Sequence, residues 1–332
     1  MSSQPPILLL TRSEIACLLT LDDHIAAVEG AFRAHALGEV LPPGLMHVDA
    51  HSGEFHIKAG GVTNPKAYFA LKANGGFFHN MSRYGLPNIQ GLVLLYDAEK
   101  GSPLAVMDSI EITKKRTGAA TAVAARHLAA PDASTAVICG SGNQARIQLE
   151  SLARVRPLKK VFVYSNDEPG ARVFAKEMSA KLSLDVAHVG DLRGALAQSQ
   201  VCITCTPSKH WFLAADDVPP GMFVSAVGAD SPEKQELEPK LVAQSKLVCD
   251  ILDQCANVGE FHHAIAAGLA TRSHCYAQLG EVLAGLKPGR TSDEEVIVFD
   301  STGTALQDVA SAAAAYERAL ATGVGTQFDI FA

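Results

Sequence analysis

The chain has 332 residues, enough for two domains with buried cores, and its 48% hydrophobic and 19% charged content excludes a disordered polypeptide. A formal net charge of −7 disfavours nucleic acid and membrane surfaces as partners, yet permits a local cationic pocket for a small acid. The seven cysteines show no disulfide framework and fit a reducing cytoplasm, and the N-terminus has neither a basic segment nor a long apolar run, so no leader or membrane anchor is expected.

Taken in order, residues 7–10 are predicted as a short strand and residues 13–19 and 22–37 as helices, the second entered through Thr20-Leu21-Asp22-Asp23 and stopped at Gly38. Residues 55–58, 68–73 and 92–97 read as strands of one sheet, which residues 104–108 extend. Between them, Pro42-Pro43-Gly44, Asn74-Gly75-Gly76 and Tyr84-Gly85-Leu86-Pro87-Asn88 read as turn-rich loops. A long helix is expected over 110–130, before Pro131. From Ser134 the rhythm changes to strands at 135–139, 160–164, 184–188, 201–205, 222–227, 246–250 and 295–299, with helices between them. That alternation implies parallel β-α-β units and a doubly wound sheet. A last helix over 305–321 is expected to return to the first domain. The fold class is therefore α/β: a Rossmann-type doubly wound parallel sheet over residues 126–304, plus a second α+β domain with a mostly antiparallel sheet over 1–125 and 305–332.

The strongest motif is the apolar run Ala136-Val137-Ile138-Cys139 followed by Gly140-x-Gly142-x-x-Ala145 and a helix-compatible segment. Gly140 permits the tight turn, Gly142 lets a pyrophosphate approach the backbone, and Ala145 lets the helix pack on its strand. The helix N-terminus then offers free N–H groups to the phosphates. An ordinary strand-to-helix turn is the bland alternative. After the second strand the tip reads Ser165-Asn166-Asp167, where NAD enzymes place an acid on the ribose about 20 residues beyond the glycines. No Arg or Lys stands there to hold a 2′-phosphate, and Asp167 would repel one, although it sits two places late. NAD is the expected cofactor, with NADP possible. Cys202 and Cys205 lie three apart in a strand-like run and point to opposite faces, which argues against a shared metal or redox role.

Four further segments are polar where packing alone does not require it. Lys72 sits inside an apolar strand, where an edge lysine that discourages strand pairing is the bland alternative. Lys114-Lys115-Arg116-Thr117 opens a small-residue helix, Val227-Gly228-Ala229-Asp230 follows a strand, and Asp300-Ser301-Thr302-Gly303 follows another. A solvated helix end and turns that cap the next helix would explain these. In a dinucleotide fold, however, ligands sit at the carboxyl ends of parallel strands.

These residues resemble the ornithine cyclodeaminase/μ-crystallin family over nearly the whole chain. The resemblance runs through Leu10-Thr-Arg-Ser-Glu-Ile, Gly85-Leu-Pro-Asn-Ile, Pro103-Leu-Ala-Val-Met-Asp108 and Arg116-Thr-Gly-Ala-Ala. It continues in Gly142-Asn-Gln-Ala, Gly228-Ala-Asp-Ser-Pro-Glu-Lys-Gln-Glu-Leu237, Leu279-Gly-Glu-Val-Leu283 and Phe299-Asp-Ser-Thr-Gly303. Several stretches look closest to its alanine dehydrogenase/imine reductase branch. The resemblance implies an NAD(P)-dependent oxidoreductase that moves hydride to or from the α-carbon of a small 2-imino or L-amino acid. Its alternatives are an ornithine or lysine cyclodeaminase, which is redox-neutral and releases ammonia, and a non-catalytic dinucleotide-binding protein. It also implies a homodimer.

By the same resemblance Lys72 stands beside the substrate carboxylate, Arg116 clamps it, and Asp230 handles the amine; these three are the expected catalytic residues. Asn88, His56, Lys58 and Thr302 are expected to line the substrate pocket with Lys72 and Arg116. Thr117, Gly140, Gly142, Asn143, Gln144, Ser165, Asn166, Thr206, Val227, Gly228, Lys234 and Ser301 match cofactor-contact positions. The chain departs from its relatives where they carry a cation just after the Pro-Pro pair, which is Gly44 here, and where they often have Arg-x-Met-Pro-Ala, which is His56-Ile57-Lys58-Ala59 here. His47, His56 or Lys58 would restore the lost cation. His47, His51 and His56 are read as polar surface or pocket lining, and no metal site is expected.

Overall fold

A computed structural model describes residues 5–330 and 332, so the first four residues, on which part of the no-leader reading rests, lie outside it. The chain opens with β1 (Ile7–Leu10), α1 (Arg12–Leu18) and α2 (Leu21–Ala36), followed by β2 (Val40–Ala50), β3 (Gly53–Val62), β4 (Tyr68–Gly76), α3 (Asn80–Tyr84), β5 (Ile89–Asp97), β6 (Pro103–Asp108) and α4 (Ser109–Leu128). Then come β7 (Thr135–Cys139), α5 (Asn143–Ala153), β8 (Lys160–Tyr164), α6 (Glu168–Leu182), β9 (Asp185–His188), α7 (Leu192–Leu196), β10 (Val201–Thr204) and β11 (Phe223–Ala226). The remainder is α8 (Pro239–Gln244), β12 (Lys246–Cys249), α9 (Leu252–Val258), α10 (Glu260–Ala266), β13 (Cys275–Gln278), α11 (Leu279–Leu283), β14 (Ile297–Asp300), α12 (Ala305–Thr322) and β15 (Thr326–Phe328).

The chain divides into two compact units, one up to Arg116 and again from Thr304, the other Thr117–Gly303. The first passage thus falls inside α4, between Arg116 and Thr117, rather than at 125/126.

The first unit holds a seven-stranded sheet in the order β15-β1-β6-β5-β4-β3-β2, antiparallel except for the β1–β6 pair. Thr20 caps α2 reciprocally with Asp23, as the sequence pattern implies. Helices α2 and α12 pack on each other, and α12 lies against β3 and β4. Gly60 on β3 lets that helix approach, since a Cβ there would come within 3.2 Å of the Ala305 Cβ. Two predicted loops are strands. Pro42-Pro43-Gly44 belongs to β2, which tolerates prolines because it is an edge strand and because its register shifts between Leu41 and Gly44. Asn74-Gly75-Gly76 prolongs β4, paired by β3 on one side and β5 on the other.

The second unit holds an eight-stranded, wholly parallel sheet in the order β13-β12-β14-β11-β10-β7-β8-β9. The order reverses direction between β7 and β10, and that switch point is where such sheets bind ligands. Strands β13 and β15, missed from sequence, are short and lie at sheet edges.

Candidate active site

In the first unit, alternation along β3 and β4 turns Lys58 and Lys72 toward the same face, directly across from each other. Both are buried, and a like-charged pair at opposed positions is destabilising in a sheet. The compensating acid arrives from α12. Lys72 Nζ donates to Asp308 Oδ1 at 2.8 Å and lies 2.7 Å from Oδ2. Arg116, buried on α4, donates from Nε to Asp308 Oδ1 at 2.9 Å and from a terminal nitrogen to Gln307 Oε1 at 2.6 Å. Three buried cations therefore gather round one buried carboxylate. Burial pulls the Lys72 ammonium down to about 7, with Asp308 opposing the fall and Arg116 and Lys58 adding to it. The same cations hold Asp308 below the ordinary carboxylate range despite its burial. The Gln307 amide nitrogen is buried without a hydrogen-bond partner, a donor left over beside the cations.

Other residues expected near the substrate lie apart from this group. His56 Nε2 is 3.2 Å from Glu54 Oε1, further along β3. Asn88 closes a surface loop: its Oδ1 accepts from the Met81 N–H at 3.0 Å, and its carbonyl accepts from Phe77.

In the second unit, β7 is followed by Gly140 at φ +121°, a conformation that favours glycine. Gly142 is the N-cap of α5 with no side-chain cap, so the N–H groups that Asn143 and Gln144 begin are open to a ligand. A Cβ on Gly142 would meet nothing within 4 Å. Gln144 Oε1 is buried without a partner. Ser165, at the end of β8, lies 3.2 Å from the Ser141 hydroxyl across the turn, with Asn166 following it. Asp167, the acid two places late, caps α6 by accepting from the Gly170 N–H at 3.1 Å. These features fit a dinucleotide pyrophosphate.

The sequence reading left out the residue that ties the neighbouring strand ends together. Buried Glu236 accepts from the Thr204 hydroxyl at 2.7 Å, the Thr206 N–H at 2.6 Å and hydroxyl at 2.7 Å, and the Gly228 N–H at 2.9 Å. It thereby fixes the ends of β10 and β11, where Thr206, Val227 and Gly228 stand. Glu260 in turn accepts from the backbone N–H groups of Glu236 and Leu237. Burial pushes both carboxyls up. Asp230 is half-buried and bonds Lys234 at 2.6 Å. Ser301 and Thr302 are buried just beyond β14, and the Thr302 hydroxyl donates to Asp250 at 3.0 Å. Thr117 is buried on α4 as the first residue of this unit.

The buried cation cluster of the first unit and the phosphate-ready turn at the switch point of the second unit's doubly wound sheet fit a dinucleotide-dependent enzyme. A profile of the ornithine cyclodeaminase/mu-crystallin family matches residues 7–323, and the chain belongs to that family. The alanine dehydrogenase of Archaeoglobus fulgidus is 37% identical to it over 98% of this chain and 98% of its own length. A solved archaeal alanine dehydrogenase dimer with bound NAD matches with a TM-score of 0.92 and 36% identity, over 98% of this chain and 99% of that one. The Delta(1)-pyrroline-2-carboxylate reductase of Thermococcus litoralis, in complex with NADH and L-proline, matches with a TM-score of 0.91 and 33% identity, over 97% and 100%. The chain is an oxidoreductase of this family, and its fold class is the one the sequence predicts.

Proposed function

We propose that the protein reduces a small 2-imino acid to the L-amino acid with NADH, or runs the matching oxidation, by hydride transfer at the α-carbon. The observation that carries this reading is the set of three buried cations, Lys58, Lys72 and Arg116, around the single carboxylate of Asp308. Buried charge is stabilised by paired charge, and the α-carboxylate of a substrate would bring a second anion to these cations. Arg116 offers a planar fork for it, and Gln307 Nε2 offers a further donor. An ammonium held near neutrality, as Lys72 is, suits proton exchange with the substrate nitrogen at working pH. Asp230 is assigned the second proton-handling role, with Lys234 holding its carboxylate in place.

NAD supplies the hydride. Gly140, Gly142, Asn143 and Gln144 take its pyrophosphate, Ser165 and Asn166 its ribose, and Thr206, Val227, Gly228 and Ser301 its nicotinamide half. The absence of a cation at the β8 tip and the NAD and NADH bound in the relatives support this cofactor over NADP. A homodimer is supported by the dimeric relative and by an exposed apolar face of the first unit's sheet, where Met46, Val48, Phe55 and Leu92 lie on the side opposite Lys58. Among the described residues no helix is long and apolar enough to cross a membrane, and all seven cysteines are free, which favours a cytoplasmic enzyme.

The test is oxidation of NADH and NADPH against 2-oxo acids with ammonia or methylamine and against cyclic imines. Ornithine and lysine with NAD are assayed in parallel for ammonia and for proline or pipecolate. Net NADH consumption with an imine supports the proposal. Ammonia release from a diamino acid without net NADH overturns it in favour of a cyclodeaminase, and cofactor binding without turnover overturns it in favour of a binding protein.

A further inference from the structure

The hairpin of β2 and β3 carries chemistry that the reduction does not use. Its two-residue turn, His51-Ser52, fixes the register, so His47 stands opposite His56 and Asp49 opposite Glu54. Residues two apart on a strand share a face, so all four side chains project from one side of the hairpin. The ligand atoms of His47, Glu54 and His56 lie within 4.8 Å of one another. His56 Nε2 is 3.2 Å from Glu54 Oε1, and His47 Nε2 is 3.7 Å from Glu54 Oε2 and 3.0 Å from Asp49 Oδ1. Bonds of about 2.0–2.2 Å to a tetrahedral zinc place its nitrogen and oxygen ligands roughly 3.3–3.6 Å apart. The spacings found here bracket that edge, while Asp49, exposed and outside the close group of three, must swing inward to complete a tetrahedron.

We propose that His47, Glu54 and His56 form a binding site for one divalent transition-metal ion of the zinc class, with Asp49 as the fourth ligand. Two neutral imidazoles and two carboxylates balance a charge of +2, and imidazole with carboxylate selects zinc-like ions over magnesium or calcium. His56 and Glu54 are largely shielded, with side chains 14% and 23% exposed, while His47 and Asp49 at 34% and 91% leave an entry path from solvent. A bound ion would also add positive charge to the sheet face that carries Lys58, two residues along β3. Sequence spacing alone did not point to the group, because only residues 55–58 read as strand and it is the pairing of β3 with β2 that brings His47 beside His56.

The test needs no knowledge of the substrate, so it stands or falls apart from the proposed reaction. Protein stripped with a chelator is titrated with cobalt(II) while its visible absorption is followed, and zinc is then used to displace the cobalt. One equivalent per chain, with tetrahedral cobalt bands and no thiolate charge-transfer band, is the expected result. Losing a metal ligand weakens binding by at least the ~10–100-fold that follows from losing a ligand's partner. Glu54→Gln and the double variant His47→Ala/His56→Ala should both show that loss, with thermal unfolding confirming that each folds, while His51→Ala should bind as the parent does. Absence of cobalt bands in the parent, thiolate bands, or equal binding by the parent and the double variant would each overturn the proposal.

Discussion

Replacing Asp308 by Asn tests the electrostatic core of the substrate site, because one carboxylate serves two buried cations. Lys72 Nζ and Arg116 Nε reach the same oxygen of Asp308 at 2.8 and 2.9 Å. In the parent, burial draws Lys72 down to about 7 and Asp308 resists that fall. An opposite charge at this range is worth about 1–3 pKa units, so its removal should take Lys72 to roughly 4–6. Breaking a buried pair from one side also costs about 3–5 kcal/mol of stability, since Arg116 keeps its charge without its partner. The kinetic sign follows from the protonation state required. Imine reduction uses the ammonium as proton donor, so kcat/KM should fall as pH rises through about 7 in the parent. Oxidation of the amino acid needs the neutral amine and should rise over the same interval. In Asp308→Asn both limbs move to more acidic pH by the shift in Lys72. The assay is the pH profile of kcat/KM in both directions, on protein whose folding is checked by thermal unfolding at each pH. A folded variant whose limb stays near 7 would show that another group titrates in the reaction and would refute the role given to Lys72.

Arg116→Ala should lower kcat/KM by about 2–5 kcal/mol, with KM and kcat both affected, because a charged fork is lost from a buried site; steady-state kinetics unchanged from the parent would remove the clamp. Gly142→Val should weaken NADH binding with little change in melting temperature, since a Cβ there meets nothing within 4 Å in the protein itself. A titration that leaves NADH affinity intact would move the pyrophosphate elsewhere. Asp230→Asn should reduce turnover about 100-fold or more while NADH affinity stays near the parent value. Full activity would take Asp230 out of the mechanism.

The parts legible in sequence are those governed by local rules. The Gly140–Gly142 turn is read directly because a φ of +121° at Gly140 favours glycine and because the strand, glycine turn and helix follow one another in sequence. The α-β rhythm from Ser134 gives a parallel sheet for the same reason, since each strand is a short apolar run between helices. What was not legible depends on pairing between distant segments. The Pro42-Pro43-Gly44 stretch reads as a loop until an edge position and a register shift make room for its prolines. Asp308 lies 236 residues from Lys72 and 192 from Arg116, in a helix whose sequence shows only an amphipathic pattern. Glu236 was visible within a family motif, but its four hydrogen bonds to β10 and β11 were not.

The position of Lys58 bears on the cation that the family resemblance implies and that is Gly44 in this chain. Gly44, where the family resemblance implies a cation, lies on the edge strand β2. Lys58 stands one strand inward, on β3, buried, and paired across the ladder with Lys72. Its charge acts on both Lys72 and Asp308, lowering the first and helping to hold down the second. We propose that the cation absent at Gly44 is replaced from this inner strand, which packs under α12, rather than from the edge. A lysine is a compact point charge on a flexible stem, whereas an arginine binds a carboxylate through two parallel bonds. On the proposed reading the substrate carboxylate takes its orientation from Arg116 and its charge balance from the lysines. Lys58→Met should accordingly raise KM for the acid more than it lowers kcat, and it should raise the pKa of Lys72 toward its free value. A Lys58→Met variant with an unchanged KM and an unshifted pH limb would show that the cation lost at Gly44 was never replaced at all.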